Sequence, residues 1–155
     1  MVSKTKVETV AVACLNLKIF YSKAEALVTD FNNLYPQYDY ESLVQWILAG
    51  DVTYVDQKLK LAPYVTPEAL EQLVTQMRSS SAGISIKDRR YKLKVYPKCF
   101  IGNEAVDWLI NNANLTPHEA IRVGQRMLER HIIHHVLDEQ DFENNHFFYR
   151  FYVDE

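Results

Sequence analysis

The stretch Cys99-Phe100-Ile101-Gly102-Asn103-Glu104-Ala105-Val106-Asp107-Trp108-Leu109-Ile110 changes its hydrophobic period in the middle. After Gly102 the apolar residues Ala105, Val106, Leu109 and Ile110 recur at helical spacing, and Asn103 stands where an N-cap is expected. Gly102 suits a tight approach between a strand and the helix that follows it. Phe100, Val106, Trp108 and Leu109 fall where an amphipathic helix and its neighbouring strand bury their faces. Trp108 adds a large apolar area and one N–H that needs an acceptor. Asp107 is placed to accept from a nearby backbone N–H or to pair with Arg150. Phe100, Gly102, Val106, Asp107, Trp108 and Leu109 are therefore expected to determine the fold rather than to touch a ligand.

Upstream, the period is two. Ile84, Ile86, Tyr91, Leu93 and Val95 alternate with Ser85, Lys87, Lys92 and Lys94. This predicts two strands joined at Asp88-Arg89-Arg90 and closed by Pro97. Downstream, Thr116-Pro117 opens a helix with Ala120, Ile121, Gly124, Met127 and Leu128 on one face. Val136 is expected to begin a strand, Asp141 to Asn145 to turn, and Phe147 to Val153 to form a last aromatic strand. Thr66-Pro67-Glu68 is a helix start that runs through Leu70, Leu73, Val74 and Met77 to Arg78. From residue 66 onward the order is helix, hairpin, two helices, hairpin, an α+β arrangement.

Residues 1–65 read as a separate helical region. Val7 to Tyr21 carries both helical and alternating patterns, with helix favoured. Ser22 with Glu25 resembles a capping box for a helix that buries Leu27, Val28, Phe31 and Leu34 and stops at Pro36. Asp39 is placed to cap a second helix, with Leu43, Val44, Ile47 and Leu48 on its face and Gly50 at its end. Residues 51–62 have no assignment. Trp46 and the tyrosines Tyr35, Tyr38, Tyr40, Tyr54 and Tyr64 are expected to cap this region's core.

The second half resembles the DEP domain, the module named after Dishevelled, pleckstrin and a third protein. The resemblance runs from Gly83-Ile84 through Asp88-Arg89-Arg90-Tyr91 and the Phe100 to Leu109 core (F-x-G-x-x-x-V-D-W-L). It continues through Glu119-Ala120, Gly124-Gln125, Leu128 and His135-Val136, and closes on Phe142 and Phe148-Tyr149-Arg150-Phe151. It covers about residues 68–152, and 66–155 is taken as the domain. The resemblance implies a winged-helix-like fold. It also implies a non-catalytic module that recruits signalling proteins to membranes, through anionic lipids or partner proteins. One position departs: where the family carries glycine near the end of its third helix, this chain has Arg130-His131, so a different turn is expected there.

Composition narrows the function from the other side. The chain has 155 residues, 48% of them hydrophobic, and a formal net charge of −3. That is enough apolar surface for a core, and too much for wholesale disorder. Two cysteines, Cys14 and Cys99, give neither a disulfide framework nor a four-cysteine zinc site. Four scattered glycines make no phosphate-cradling loop. The apolar run Val10 to Phe20 is interrupted by Asn16 and Lys18 and is too short to span a membrane. The expected location is cytoplasmic, with peripheral contact at a membrane.

The near-neutral total conceals a contrast. Between Gly83 and Lys98 the chain carries Lys87, Arg89, Arg90, Lys92, Lys94 and Lys98 against Asp88 alone, whereas Cys99 to Glu155 holds four arginines against ten carboxylates. Alternation puts Lys92 and Lys94 on one face of the arm and Tyr91, Leu93 and Val95 on the other, against the core. Such an arm can offer cations to anionic phospholipid or to an unidentified partner protein; the alternatives are a purely protein–protein interaction module, with homodimerisation through the arm, and a regulatory subunit of an enzyme. His131 with His134 or His135 has metal-like spacing, but no cysteine lies nearby in sequence, and neither a metal nor any other cofactor is expected. Asp138-Glu139 and Asp141 fall in a turn, and no nucleophile motif accompanies them, so no enzyme activity is expected. Arg122, Arg126 and Arg130 form a stripe on the helix that a DNA-binding winged helix would use. Glu119 and Glu129 dilute it, and a sequence pI near 6.0 argues against nucleic acid.

Overall fold

The computed structural model describes residues 9–10, 21–56 and 58–155. The chain divides into two units, Met1–Val65 and Thr66–Glu155. In the first, Thr9 and Val10 are helical, and the rest of the expected Val7–Tyr21 helix lies outside the described residues. Helix α1 (Tyr21–Leu34) buries Ala24, Leu27, Val28 and Phe31, the three- and four-residue spacing of one helical face. Ser22 lies inside this helix rather than ahead of it, so the expected capping box is not its start. Helix α2 (Tyr40–Leu48) is capped by Asp39, whose Oδ1 accepts from the Ser42 N–H at 3.0 Å. It gives way at Ala49 to Gly50, which turns with φ 80°.

The unassigned residues after Gly50 form an antiparallel hairpin, β1 (Val52–Val55) and β2 (Lys58–Leu61), with Val52 opposite Leu61. Val-Thr-Tyr-Val and Lys-Leu-Lys-Leu alternate over only four residues each, which is why periodicity missed them. The hairpin is tied to α1 by the Leu59 N–H, which donates to Asp30 Oδ2 at 3.2 Å. Val52, Leu59 and Val65 join Phe31, Leu43, Trp46 and Ile47 in one core. Trp46 meets Phe31 and Tyr38 edge-on at 5.8 and 5.2 Å, so the aromatic residues close this core.

In the second unit, helix α3 (Pro67–Met77) starts at Thr66, whose Oγ1 accepts from the Ala69 N–H. Strands β3 (Lys87–Tyr91), β4 (Lys94–Ile101), β5 (Ile133–His135) and β6 (Phe148–Phe151) form one antiparallel sheet in the order β3-β4-β6-β5. Helices α4 (Gly102–Ala113) and α5 (Pro117–Glu129) connect β4 to β5. Phe100 sits at 1% exposure between the rings of Tyr149 and Phe151, with Val106, Leu109, Val123 and Met127 buried in the same unit. Each such side chain contributes roughly 1.5–3 kcal/mol of transfer free energy on burial. A full capping box opens α5. The Thr116 hydroxyl oxygen accepts from the Glu119 N–H, and the Glu119 carboxylate accepts from the Thr116 N–H. The Thr116 N–H and, after it, the Thr116 hydroxyl hold the Glu119 carboxyl below its ordinary range.

Several local expectations are corrected. Asn103 does not cap α4. The helix leaves β4 directly at Ile101, and its first free N–H groups, those of Gly102 and Asn103, donate to the carbonyls of Phe147 (2.9 Å) and Asn145 (3.0 Å). A distant loop thus does what a local side chain was expected to do. Val136 follows edge strand β5, which ends at His135. The last strand stops at Phe151, and Tyr152–Asp154 is a 3-10 turn. Trp108 is half-buried, and its Nε1–H donates to the Ala82 carbonyl at 2.8 Å. Asp107 is exposed, and Arg150 instead approaches Glu155 at 3.6 Å.

The end of α5 does not need the glycine that the family carries there. His131 takes φ 57°, and the N–H groups of His131 and Ile132 donate to the carbonyls of Leu128 and Met127. That pattern is a Schellman turn built with a histidine in the left-handed region.

Candidate functional site: the hairpin arm and the cavity beside it

The basic arm is a hairpin, but its turn is not at Asp88-Arg89-Arg90. Those residues are inside β3, and the chain reverses at Lys92-Leu93, between the paired residues Tyr91 and Lys94. Lys92 takes φ 57°, the positive value that two-residue hairpin loops require at their first position. Lys-Leu carries no turn signature, whereas Asp-Arg-Arg resembles one, so the polar triplet misled the sequence reading. Pro97 does not close the strand either. Lys87 pairs with Cys99 and Arg89 with Tyr96, so β4 carries one extra residue and bulges at Pro97-Lys98. Lys98 there has φ 49°, and its N–H donates to Asp88 Oδ1 at 3.1 Å. The bulge tolerates a proline that a regular ladder would not.

Moving the turn reassigns the faces. Tyr91 and Lys94 are directly opposed and so share a face, as do Arg90 and Val95 on the other. The apolar residues of the arm are therefore not docked on the core. Leu93 is 98% exposed at the tip, with Tyr91 and Val95 also exposed. Lys87, Arg90, Lys92, Lys94 and Lys98 are exposed around them. Arg89 is not part of this surface. Its side chain is 11% exposed; Nε donates to the Cys99 carbonyl at 3.2 Å and Nη2 to the Ser85 carbonyl at 3.0 Å, with Glu104 at 3.9 Å. Arg89 pins the arm to the body of the unit, and the remaining five cations face solvent. Burial pushes the Cys99 thiol up despite Arg89 beside it, so this cysteine is held in its unreactive form.

Alongside the arm, from Lys92 in its turn to Tyr96 in β4, lies a cavity of about 360 Å³, lined among others by Tyr91, Lys92, Tyr96, His135, Glu139 and Phe148. The rings of Tyr91 and Tyr96 stand edge-on to Phe148 at 6.4 and 6.3 Å. The ammonium groups of Lys92 and Lys94 lie 5.4 and 5.3 Å from the Tyr91 and Tyr96 ring centroids. His135 is 8% exposed. Its Nδ1 accepts from the Leu137 and Glu139 N–H groups at 3.2 and 3.4 Å. Burial depresses its pKa, so the ring is neutral and carries its proton on Nε2. No sequence pattern brings these residues together, because they come from the arm, the end of β5 and the start of β6.

The histidine group and the arginine stripe are used within the fold. His134 bonds the carboxylates of Asp138 and Glu155. Partial burial disfavours its charge, but the two carboxylates outweigh that and raise its pKa. Among the described residues no group of three metal-ligating side chains comes together. Arg126 is 2% exposed, so Arg122, Arg126 and Arg130 do not form a surface stripe. Arg122 lies 3.4 Å from Glu129.

Residues 83–151 match the family model described as the domain found in Dishevelled, Egl-10 and Pleckstrin. Over 86 residues the chain is 44% identical to the phosphatidylinositol 3,4,5-trisphosphate-dependent Rac exchanger 1 protein of Mus musculus. Over 83 residues it is 40% identical to the vacuolar membrane-associated protein IML1 of Yarrowia lipolytica. These matches cover 55% and 52% of this chain and 5% of either relative, so the shared part is one segment of much longer proteins. The solution structure of the human pleckstrin DEP domain superposes with a TM-score of 0.51 at 22% identity, covering 64% of this chain and 86% of that one, a likeness of fold. The bulged hairpin, the glycine-led helix and the four-stranded sheet around Phe100 are thus the parts of a DEP domain, which this chain carries over residues 83–151.

Proposed function

We propose that this chain is a non-enzymatic signalling protein, or the recruiting part of one, whose DEP domain docks on anionic membrane surfaces through the β3–β4 arm. One observation carries the reading: Leu93 stands 98% exposed at the tip of the arm, between Lys92 and Lys94. An apolar residue in that position costs solubility and adds nothing to the core. At a bilayer interface it enters the head-group region while its neighbours meet lipid phosphates. Each basic residue near an anionic leaflet contributes on the order of 1 kcal/mol. Arg90, Lys92, Lys94, Lys87 and Lys98 supply the cations; Arg89, held inside, does not. The membrane-related names of two relatives support the same direction.

Flotation with vesicles tests it. The chain is expected to float with phosphatidylserine-containing vesicles and much less with neutral ones, with binding that falls as salt rises. Replacing Arg90, Lys92 and Lys94 by Glu together should abolish flotation. Equal recovery with both vesicle types, or none with either, overturns the proposal. Light scattering of the same samples separates it from the competing reading, self-association through the arm.

A further inference from the structure

The cavity alongside the arm combines groups that neither the fold nor the arm's charge explains. It is lined by a cation, Lys92, and a carboxylate, Glu139, and no ion pair joins them. It is also lined by His135, which is more than nine-tenths buried and has both its Nδ1 bonds made internally. The Nε2–H of that ring has no protein partner among the described residues. That nitrogen is open to solvent, so its proton is available to a ligand. The remaining wall is aromatic, with Tyr91 and Tyr96 set at 81° and 68° to Phe148. Those two tyrosines already hold ammonium groups from Lys92 and Lys94 near their rings, so the ring faces are oriented to attract cations.

This inventory excludes the simpler ligands. A plain anion would satisfy Lys92 and His135 but meet the Glu139 carboxylate and the negative faces of the rings. A plain cation would suit the rings and Glu139 but meet Lys92 and make no use of the His135 donor. A zwitterion satisfies every group, and a quaternary ammonium is the cation that an aromatic wall selects. We infer that the cavity is a binding site for a phosphocholine group, its phosphate on Lys92 and the His135 Nε2–H and its trimethylammonium between Tyr96, Phe148 and Glu139. A volume of about 360 Å³ suits a small ligand. The inference rests on the membrane reading for the head group as a source, a phosphatidylcholine surface supplying it beside the docked arm; free phosphocholine offers the same chemistry.

Titration of the full chain with soluble phosphocholine, followed by NMR, tests the site without a membrane. Saturable shifts are expected at Tyr96, His135 and Phe148, and Glu139→Gln, an exposed and conservative change, should weaken binding about tenfold. Tetramethylammonium or inorganic phosphate alone should bind at least tenfold more weakly. The variant Lys87→Glu/Arg90→Glu, whose residues neither line the cavity nor lie over its rings, should weaken flotation on anionic vesicles yet keep phosphocholine binding. That separates failure of the arm from failure of the cavity. No saturation below about 10 mM, equal binding of inorganic phosphate, or an unchanged titration in Glu139→Gln overturns the inference. With phosphocholine binding established, flotation on phosphatidylserine vesicles doped with phosphatidylcholine, wild type against Glu139→Gln, distinguishes the sources: a difference assigns the site to the lipid head group, and equality assigns it to the free molecule.

Discussion

The hairpin arm and the corner where α4, α5 and the 138–147 loop meet belong to one unit and are built by opposite rules. In the corner every close contact is filled. A Cβ on Gly124 would fall 2.1 Å from the Phe142 ring, and one on Gly102 would fall 2.7 Å from the Glu143 carbonyl oxygen. The buried Tyr149 hydroxyl donates to the Asp141 carbonyl at 2.5 Å and accepts from the Glu143 N–H, and burial pushes its pKa up to about 12. In the arm, Leu93 and Val95 are exposed, and Tyr91 is exposed with its ring edge-on to Phe148. The corner spends its side chains on stability, and the arm leaves its side chains available to something outside the unit. The contrast predicts that substitutions will sort into two groups, those that change stability and those that change only binding.

The largest expected effect lies in the packed core. Phe100→Ala removes a ring held between Tyr149 and Phe151 and should cost about 3–5 kcal/mol in urea unfolding. A loss below about 1 kcal/mol would show that the core collapses around the gap, and the contrast with the arm would fail. Gly124→Ala comes next. Alanine is the better helix former by roughly 1 kcal/mol, but its methyl enters the Phe142 ring, which is itself fixed by the Phe142 N–H donating to Gln125 Oε1 at 3.0 Å. A net loss of about 1–3 kcal/mol is expected. A gain would mean that the loop carrying Phe142 moves away freely.

The parts of this molecule that were legible before the structure are those where one residue's chemistry acts on its own neighbours. Asp39, Thr66 and Thr116 cap the helices they were expected to cap, since an N-cap acts over three residues. The apolar spacing located helices α1 to α5, although Leu34 and Leu48, expected on the apolar faces of α1 and α2, are exposed. What was not legible depends on distant chain. Asn103 lost its capping role to carbonyls some forty residues away. The arm's turn moved because strand register is set by the Pro97-Lys98 bulge and by Arg89 turning inward, neither of which leaves a periodic trace. The cation set of the arm was legible as composition, and its geometry was not: one of the six expected cations is structural, and Tyr91, Leu93 and Val95, thought to be buried, are exposed. The cavity was invisible for the same reason.

The helix end at His131 offers a change of opposite sign. Its left-handed backbone disfavours a side chain, and the Schellman bonds are made by main-chain groups that glycine keeps. His131→Gly gives up an edge-on contact with Tyr152 and relieves a strain of roughly 1 kcal/mol. A net gain of about 0.5 kcal/mol is expected by thermal or urea unfolding. A clear loss would show that the ring contact outweighs the backbone.

A smaller effect depends on pH. His134 has its pKa raised in the folded state by Asp138 and Glu155, against the opposing effect of its partial burial. Its contribution is therefore complete below the unfolded value, near pH 6.5, and disappears as the pH rises through the higher native-state value. The stability difference between wild type and His134→Gln should shrink across that window. A difference that grows with pH would reverse the assignment.

At the bottom of the scale the arm should show no stability effect at all. Leu93 touches nothing that folding needs, so Leu93→Ser should leave the unfolding midpoint within about 0.5 kcal/mol of wild type. The same substitution removes the apolar group expected to enter the head-group region, so flotation on anionic vesicles should fall several-fold while its salt dependence, which belongs to the neighbouring cations, remains. A measurable destabilisation would mean that the tip packs on protein, and the distinction between a filled corner and an available arm would no longer hold. Unchanged flotation with unchanged stability would leave the cations as the whole of the membrane contact. The exposure of Leu93 would then have to answer to a protein surface, which light scattering of the wild type and Leu93→Ser would reveal as loss of self-association.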